Sequence, residues 1–236
     1  MTNQNFVKTR YERVLEYDVP ANQLTVREAR KIPNVPNDVA YNEIVKMNLS
    51  IIYADIRGYT ERMENADPKV AARIMSIYIT EMAAAMRFHE GTIVSIEGDG
   101  IIGAFQPSSN NNASTKAVRT IVTMNTILSY VINKRLKSFQ QDPISCGYGA
   151  DYGRVYITRA GIRGEGKNEL IYVGPIMSRV AKYQNLAEGN EVKISQRLYN
   201  GLEDHYKNNW KWKSVSTKYG TLYSMSVNTW KGTEEP

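Results

Sequence analysis

Two short apolar runs, Thr92–Glu97 and Ile101–Phe105, meet at Gly98–Asp99–Gly100. Strand-like runs broken by a glycine-rich centre predict a β-hairpin, with Asp99 at its tip. A second acidic residue stands in a similar place. Leu49–Ile56 reads LSIIYADI, a buried strand that ends at Asp55 and Ile56, and Arg57–Gly58–Tyr59–Thr60 follows as a tight turn. Taken singly, an Asp at such a position is commonly a turn residue. Taken together, the two carry more. If the strand lies beside the hairpin, both carboxylates reach the same end of one sheet, where they could bridge divalent cations.

The surrounding pattern mixes strands and helices without strict alternation. Asp67–Pro68 predicts a helix start, with Asp as N-cap and Pro in the first turn. Val70, Ile74, Ile77, Met82 and Ala85 continue that helix to about His89, and Gly91 stops it. Ser108–Ser114 reads as a polar loop. Val118, Ile121, Val122, Leu128, Val131 and Ile132 mark a second long helix. Ile144–Asp151 and Arg154–Thr158 read as two strands joined around Gly153. Gly161–Asn168 reads as an exposed arm and Leu170–Val173 as a short strand. A helix over Pro175–Ala187, a strand over Glu191–Ile194 and a Ser195-capped helix to Leu202 follow. Trp210–Ser216 and Thr221–Ser226 close the chain as a hairpin. Frequent hairpins point to an α+β fold rather than a doubly wound parallel sheet. Residues 1–47 are polar and read as an N-terminal extension with a short helix around Thr25–Lys31; the main domain is placed at 48–230.

Composition excludes several classes. Hydrophobic residues make up 42% of the 236, enough for a sizeable core. The formal charge of +6 is compatible with nucleotide, nucleic-acid or membrane partners and does not choose among them. Cys146 is the one cysteine, so no intramolecular disulfide framework exists, and it reads as a buried thiol. The polar N-terminus and the lack of an apolar run of roughly 18 residues predict no membrane insertion and a cytoplasmic protein. The WKWK stretch at Trp210–Lys213 alternates as a half-buried strand does, so no nucleic-acid binding is expected from it. His89 and His205 are too isolated to suggest a zinc site.

Four segments, in order, resemble the class III nucleotidyl cyclases. IIYADIRGYTERME is similar to their first metal-binding segment. GTIVSIEGDGIIGAF, whose Asp99 lies 44 residues after Asp55, is similar to their GxxVKxxGDxxxAxF hairpin. CGYGADYGRVYI resembles their later GIxxGxVxxG strand pair, and ELIYVGPIMSRVAKYQNLAEGNEVKIS their xVIGDTVNLAARLQ segment. The resemblance implies a ferredoxin-like α+β domain with an antiparallel-rich sheet and flanking helices. It also implies a head-to-tail homodimer with shared active sites. Asp55 and Asp99, with the Ile56 carbonyl, would hold two Mn²⁺ or Mg²⁺ ions. A ribonucleoside triphosphate would then be closed to its 3′,5′-cyclic monophosphate with loss of pyrophosphate. The backbone of Gly58, Tyr59 and Thr60, the Thr60 hydroxyl, Arg154 and Lys218 would contact phosphates.

The departures concern base and transition state. The two positions that usually read a purine hold Ser95 and Ile171, which match neither the adenylate nor the guanylate pattern. Tyr53 stands where the family usually has Phe, and its hydroxyl and bulk favour a smaller base. The family's Asn and Arg on the catalytic helix are replaced by Ser178 and Lys182, with Arg179 as an alternative cation. These changes resemble the pyrimidine cyclases of the bacterial Pycsar antiphage systems, whose cyclic UMP or cyclic CMP switches on a separate effector. UTP is expected over CTP. A purine cyclase and an inactive nucleotide-binding sensor remain the alternatives.

Overall fold

The structure is a computed structural model that describes residues 3–17, 20–64, 66–109, 112–161 and 168–227. In chain order the elements are α1 (Asn3–Tyr17), β1 (Thr25–Glu28), β2 (Glu43–Ile56), α2 (Tyr59–Glu64), α3 (Pro68–Phe88), β3 (Thr92–Glu97), β4 (Gly100–Phe105) and α4 (Ala113–Ile127). Then come α5 (Asn133–Ser138), β5 (Cys146–Gly161), β6 (Asn168–Val173), α6 (Pro175–Leu186), β7 (Glu191–Ser195), α7 (Gln196–Asn200), α8 (Asp204–Asn208), β8 (Lys213–Thr217) and β9 (Gly220–Ser226). They form two compact units, one of residues 1–47 with 156–173 and one of residues 48–155 with 174–236.

In the first unit, β1 pairs in parallel with the start of β2, Thr25 opposite Glu43 through Glu28 opposite Lys46. This corrects the expected helix at Thr25–Lys31. Thr25 and Val26 are β-branched and favour extended backbone. The pairing is tied by Arg27–Glu43 at 2.6 Å and Lys46–Glu28 at 3.0 Å. The end of β5 and β6 form an antiparallel hairpin, Tyr156 opposite Val173 through Gly161 opposite Asn168. The exposed arm expected at Gly161–Asn168 falls on residues 162–167, outside the described residues.

In the second unit the strand order is β3-β4-β2-β5-β7-β9-β8. The hairpin β3–β4 lies directly beside β2, with β4 antiparallel to both neighbours. The expected α+β architecture, a large antiparallel-rich sheet with flanking helices, is what the unit builds. Asp67 caps α3, its carboxylate accepting from the Lys69 amide at 2.7 Å. Tyr78, not Ile77, occupies the core-facing turn between Ile74 and Met82. At the helix end Glu90 takes the left-handed conformation (φ 59°), while Gly91 is needed for space. A Cβ there would come within 2.5 Å of the Phe105 ring.

Two further expectations are corrected. The second long helix is interrupted by a π-helical turn at Leu128–Ile132. The wider turn rotates the following side chains, so Val131 is 53% exposed although it fits the apolar repeat. Cys146–Gly161 is one continuous strand rather than two. Gly153 lies inside that strand rather than at a turn, and a Cβ there would meet the Arg179 guanidinium at 3.7 Å and Ile176 Cδ1 at 3.9 Å, ordinary contact distances. In Trp210–Lys213 the alternation holds, the tryptophans packing on the core and the lysines exposed, although the strand itself starts at Lys213. No described helix is long and apolar enough to cross a membrane.

Cys146 is buried and donates to the Tyr78 hydroxyl at 3.2 Å; burial pushes its thiol up to about 12. His89, at the C-terminus of α3, shares a hydrogen bond with Thr123 at 2.8 Å. Burial first, and the Arg119 charge second, push its pKa down to about 4. The fold therefore favours neutral His89. Its contribution to stability is complete above the ordinary pKa near 6.5 and is lost as pH falls from there through 4. Urea midpoints between pH 7 and 4.5 should fall less steeply for His89→Gln than for the parent chain.

Candidate active site

Asp55 is the next-to-last residue of β2, and its register partner on β4 is Gly100. Asp99 occupies the two-residue turn between β3 and β4, behind a left-handed Gly98 (φ 63°). A glycine at the first turn position matches the type II′ hairpin, whose twist suits the flanking strands. Strand register thus delivers both carboxyls to one end of the sheet. Burial first, then the neighbouring Asp99 carboxylate, push Asp55 up to about 6, against the opposing pull of Arg57.

Cross-strand partners point to the same face. Tyr53 pairs with Ile102, which pairs with Ser95; Asp55 pairs with Gly100, which pairs with Glu97. A β-bulge between Ile93 and Ser95 sets this register. Tyr53, Asp55, Ser95 and Glu97 therefore share one face. The Tyr53 ring lies across Gly100, where any Cβ would stand 2.4 Å from it. Its hydroxyl titrates above the ordinary range, through burial and then the charges of Asp55, Glu97 and Asp99. Ser95 donates to Glu97 at 3.1 Å. Gly58 is left-handed (φ 65°) and turns the chain into α2, where Tyr59 is raised by burial and by Asp99. Thr60 is exposed in the first turn of that helix.

Two donors hold Asp55. Arg57 Nη2 donates to Oδ2 at 3.0 Å and Gln184 Nε2 donates to the same oxygen at 2.9 Å. Arg57 also reaches the Ala187 carbonyl at 3.4 Å, and its guanidinium fills the space that a side chain at Gly147 would need. An open groove of about 580 Å³ adjoins this turn, lined by Arg57, Gly58, Glu61, Arg62 and Asp142 among others.

The other expected residues form separate groups. Lys182 and Lys218 flank the Tyr219 ring, their ammonium groups 5.4 and 5.2 Å from its centroid. Ser178 is exposed one turn before Lys182 on α6. Gln184 lies about 200° around the helix from Lys182 and about 120° from Ser178. One helix thus turns Gln184 toward Asp55 and the expected catalytic pair away from it. Arg179 is engaged elsewhere, donating at 2.6 Å to the fully buried Asp151. Arg154 is exposed on β5. Ile171 is 44% exposed on β6 and belongs to the first unit. Sequence reasoning missed Arg57, Glu97, Asp151 and Gln184. Arg57 sits inside the quoted ADIR segment and could have been weighed; Gln184, 129 residues from Asp55, offers no local signal.

The class to which this fold belongs follows from its similarity to known proteins. The pattern described as the adenylate and guanylate cyclase catalytic domain matches residues 43–225, so the chain belongs to that family and is a nucleotide cyclase. It is 28% identical over 178 residues to a uridylate cyclase of Rhodovulum sp. (strain MB263), covering 72% of each chain. A uridylate cyclase of Burkholderia cepacia is also 28% identical, over 77% of this chain and 79% of that one. In fold it is similar to the adenylyl cyclase CyaB from P. aeruginosa, with a TM-score of 0.68 at 17% identity over 80% of this chain and 98% of that one.

Because the Asp99 charge raises Asp55, removing it has a defined sign. Asp99→Asn should lower the Asp55 pKa toward the ordinary carboxylate range, read by carboxyl ¹³C NMR titration of the metal-free protein. An unmoved Asp55 would show that the two groups do not interact.

Proposed function

We propose that this chain converts UTP to 3′,5′-cyclic UMP and pyrophosphate by two-metal catalysis, in a head-to-tail homodimer, as an alarm signal in bacterial antiphage defence. The observation that carries the reading is the Asp55–Asp99 pair with the Tyr53 hydroxyl beside it. Both curated relatives described above carry the name uridylate cyclase, which supports the pyrimidine assignment.

The donor set fits hard cations. Asp55 and Asp99 supply carboxylate oxygens and Ile56 a backbone carbonyl, the ligand type that Mg²⁺ and Mn²⁺ take. Among the described residues no group of three or more His, Cys, Asp or Glu side chains gathers as a metal site, so phosphate and water oxygens would complete the shell. Bound cations would lower the pKa of the ribose 3′-hydroxyl and neutralise the triphosphate. The protein's own residues do the positioning. The turn at Gly58–Thr60 offers amides and a hydroxyl to phosphate oxygens. Tyr53 and Ser95 face the base, where a Tyr ring leaves less room than Phe and a lone hydroxyl matches neither purine pattern.

Lys182 and Lys218, already paired around Tyr219, supply positive charge for the pentavalent phosphorus, with Ser178 beside them on α6. The helix turns these residues away from its own Asp55, which supports their serving the site of a second copy. Arg154 is assigned to phosphate contact. Arg179, engaged by Asp151, acts by fixing the first turns of α6 rather than by touching phosphorus.

Incubation with each of the four ribonucleoside triphosphates and Mn²⁺ should yield cyclic UMP as the main product; cyclic AMP or cyclic GMP in excess would overturn the pyrimidine assignment. NTP binding with no pyrophosphate release would instead favour a sensor. Asp55→Ala or Asp99→Ala should lower turnover by about a thousandfold or more, with the circular dichroism spectrum retained. Mixing Asp55→Ala with Lys182→Ala chains should restore part of the activity, and a mixture as inactive as its components would argue against shared sites.

A further inference from the structure

Asp55 is held by one donor from its own segment and one from far along the chain, and the second has no assigned role. Gln184 is buried, with 1% of its surface exposed, and projects from α6 onto Asp55 Oδ2 at 2.9 Å. Its reach is set by a close packing. The α6 backbone at Val180 and Gln184 approaches Gly149 of β5 so nearly that a Cβ on residue 149 would lie 2.4 Å from the Gln184 amide nitrogen. Only glycine permits that approach, and the approach brings the Gln184 side chain to the end of β2.

We propose that Gln184 is the positioning residue of the cation site: its amide, with Arg57, fixes the rotation of the Asp55 carboxyl so that Oδ1 is presented to the cation. Both donors fall on Oδ2, which leaves the other oxygen clear of them. Arg57 brings a positive charge that works against a nearby cation. Gln184 supplies the same hydrogen bond without charge. A neutral donor orients the ligand while leaving its full negative charge for the metal, the task that hydrogen-bond partners of metal ligands commonly perform. The inference rests on Asp55 as a cation ligand, as proposed above.

The test is Mn²⁺ binding by full-length protein, counted by the electron paramagnetic resonance signal of free Mn²⁺, for the parent, Asp55→Ala, Gln184→Met and Gln184→Asn chains. Met keeps the length and packing of Gln without the donor; Asn keeps the amide but falls short of Asp55. Both should weaken Mn²⁺ binding roughly tenfold to a hundredfold. In turnover the deficit should appear in the Mn²⁺ concentration for half-maximal rate, with KM for the nucleotide at saturating Mn²⁺ near the parent value. Either variant, folded by circular dichroism and binding Mn²⁺ as the parent does, overturns the proposal. If Asp55→Ala also binds as the parent does, the cation assignment itself fails; if Asp55→Ala loses binding while the Gln184 variants keep it, only the role of Gln184 falls.

Discussion

Two like charges meeting in a half-buried place is the constraint on which the site depends. The hairpin register and the end of β2 force Asp55 and Asp99 together, and burial raises the cost of keeping both ionised. Nothing in folding alone favours that arrangement. The chain tolerates it because Arg57 offsets part of the charge and Gln184 donates a neutral hydrogen bond. Local conflict of this kind separates these carboxylates from ordinary turn aspartates, which sit in water and repel nothing, and it is the feature on which the proposed cation site rests.

The glycines nearby answer to two needs, a left-handed turn and close packing of side chains. Gly98 takes a left-handed conformation so that the turn can present Asp99. Gly100 yields its side-chain space to Tyr53, and Gly147 yields to the Arg57 guanidinium. Gly100 and Gly147 each remove a Cβ where a neighbouring side chain lies against backbone, whereas Gly98 has open space around it and answers to its positive φ alone. The sequence records these requirements as a dense run of glycines whose separate reasons appear only once the partners are known.

Short-range chemistry was therefore readable and long-range chemistry was not. The Gly98–Asp99–Gly100 hairpin, the Asp67 cap and the Ser195 cap depend on neighbours within three or four residues, and each formed as its residues suggested. The strand at Thr25–Glu28 depends on pairing with residues about eighteen positions away, so a polar stretch that resembled a helix became extended. The π-turn at Leu128 breaks the periodicity on which helix reading relies. Gln184 could not be found at all from spacing, because its role is created by the approach of α6 to Gly149.

That approach also bears on how one helix serves two purposes. A residue advances about 100° around a helix, so Gln184 and Lys182 cannot face the same neighbour. Val180 and Gln184 form the face that packs on β5, Gln184 continuing to Asp55, while Ser178 and Lys182 stand exposed beyond it. Arg179 between these faces is locked to buried Asp151, which fixes the rotation of the helix about its axis. With the helix so pinned, the direction in which Lys182 points and the grip of Gln184 on Asp55 are not independent. A change that rotates α6 to reposition one must disturb the other. In the role proposed for it, Lys182, a long and freely rotating ammonium where a forked arginine would need exact placement, could reach a phosphate without asking α6 to move.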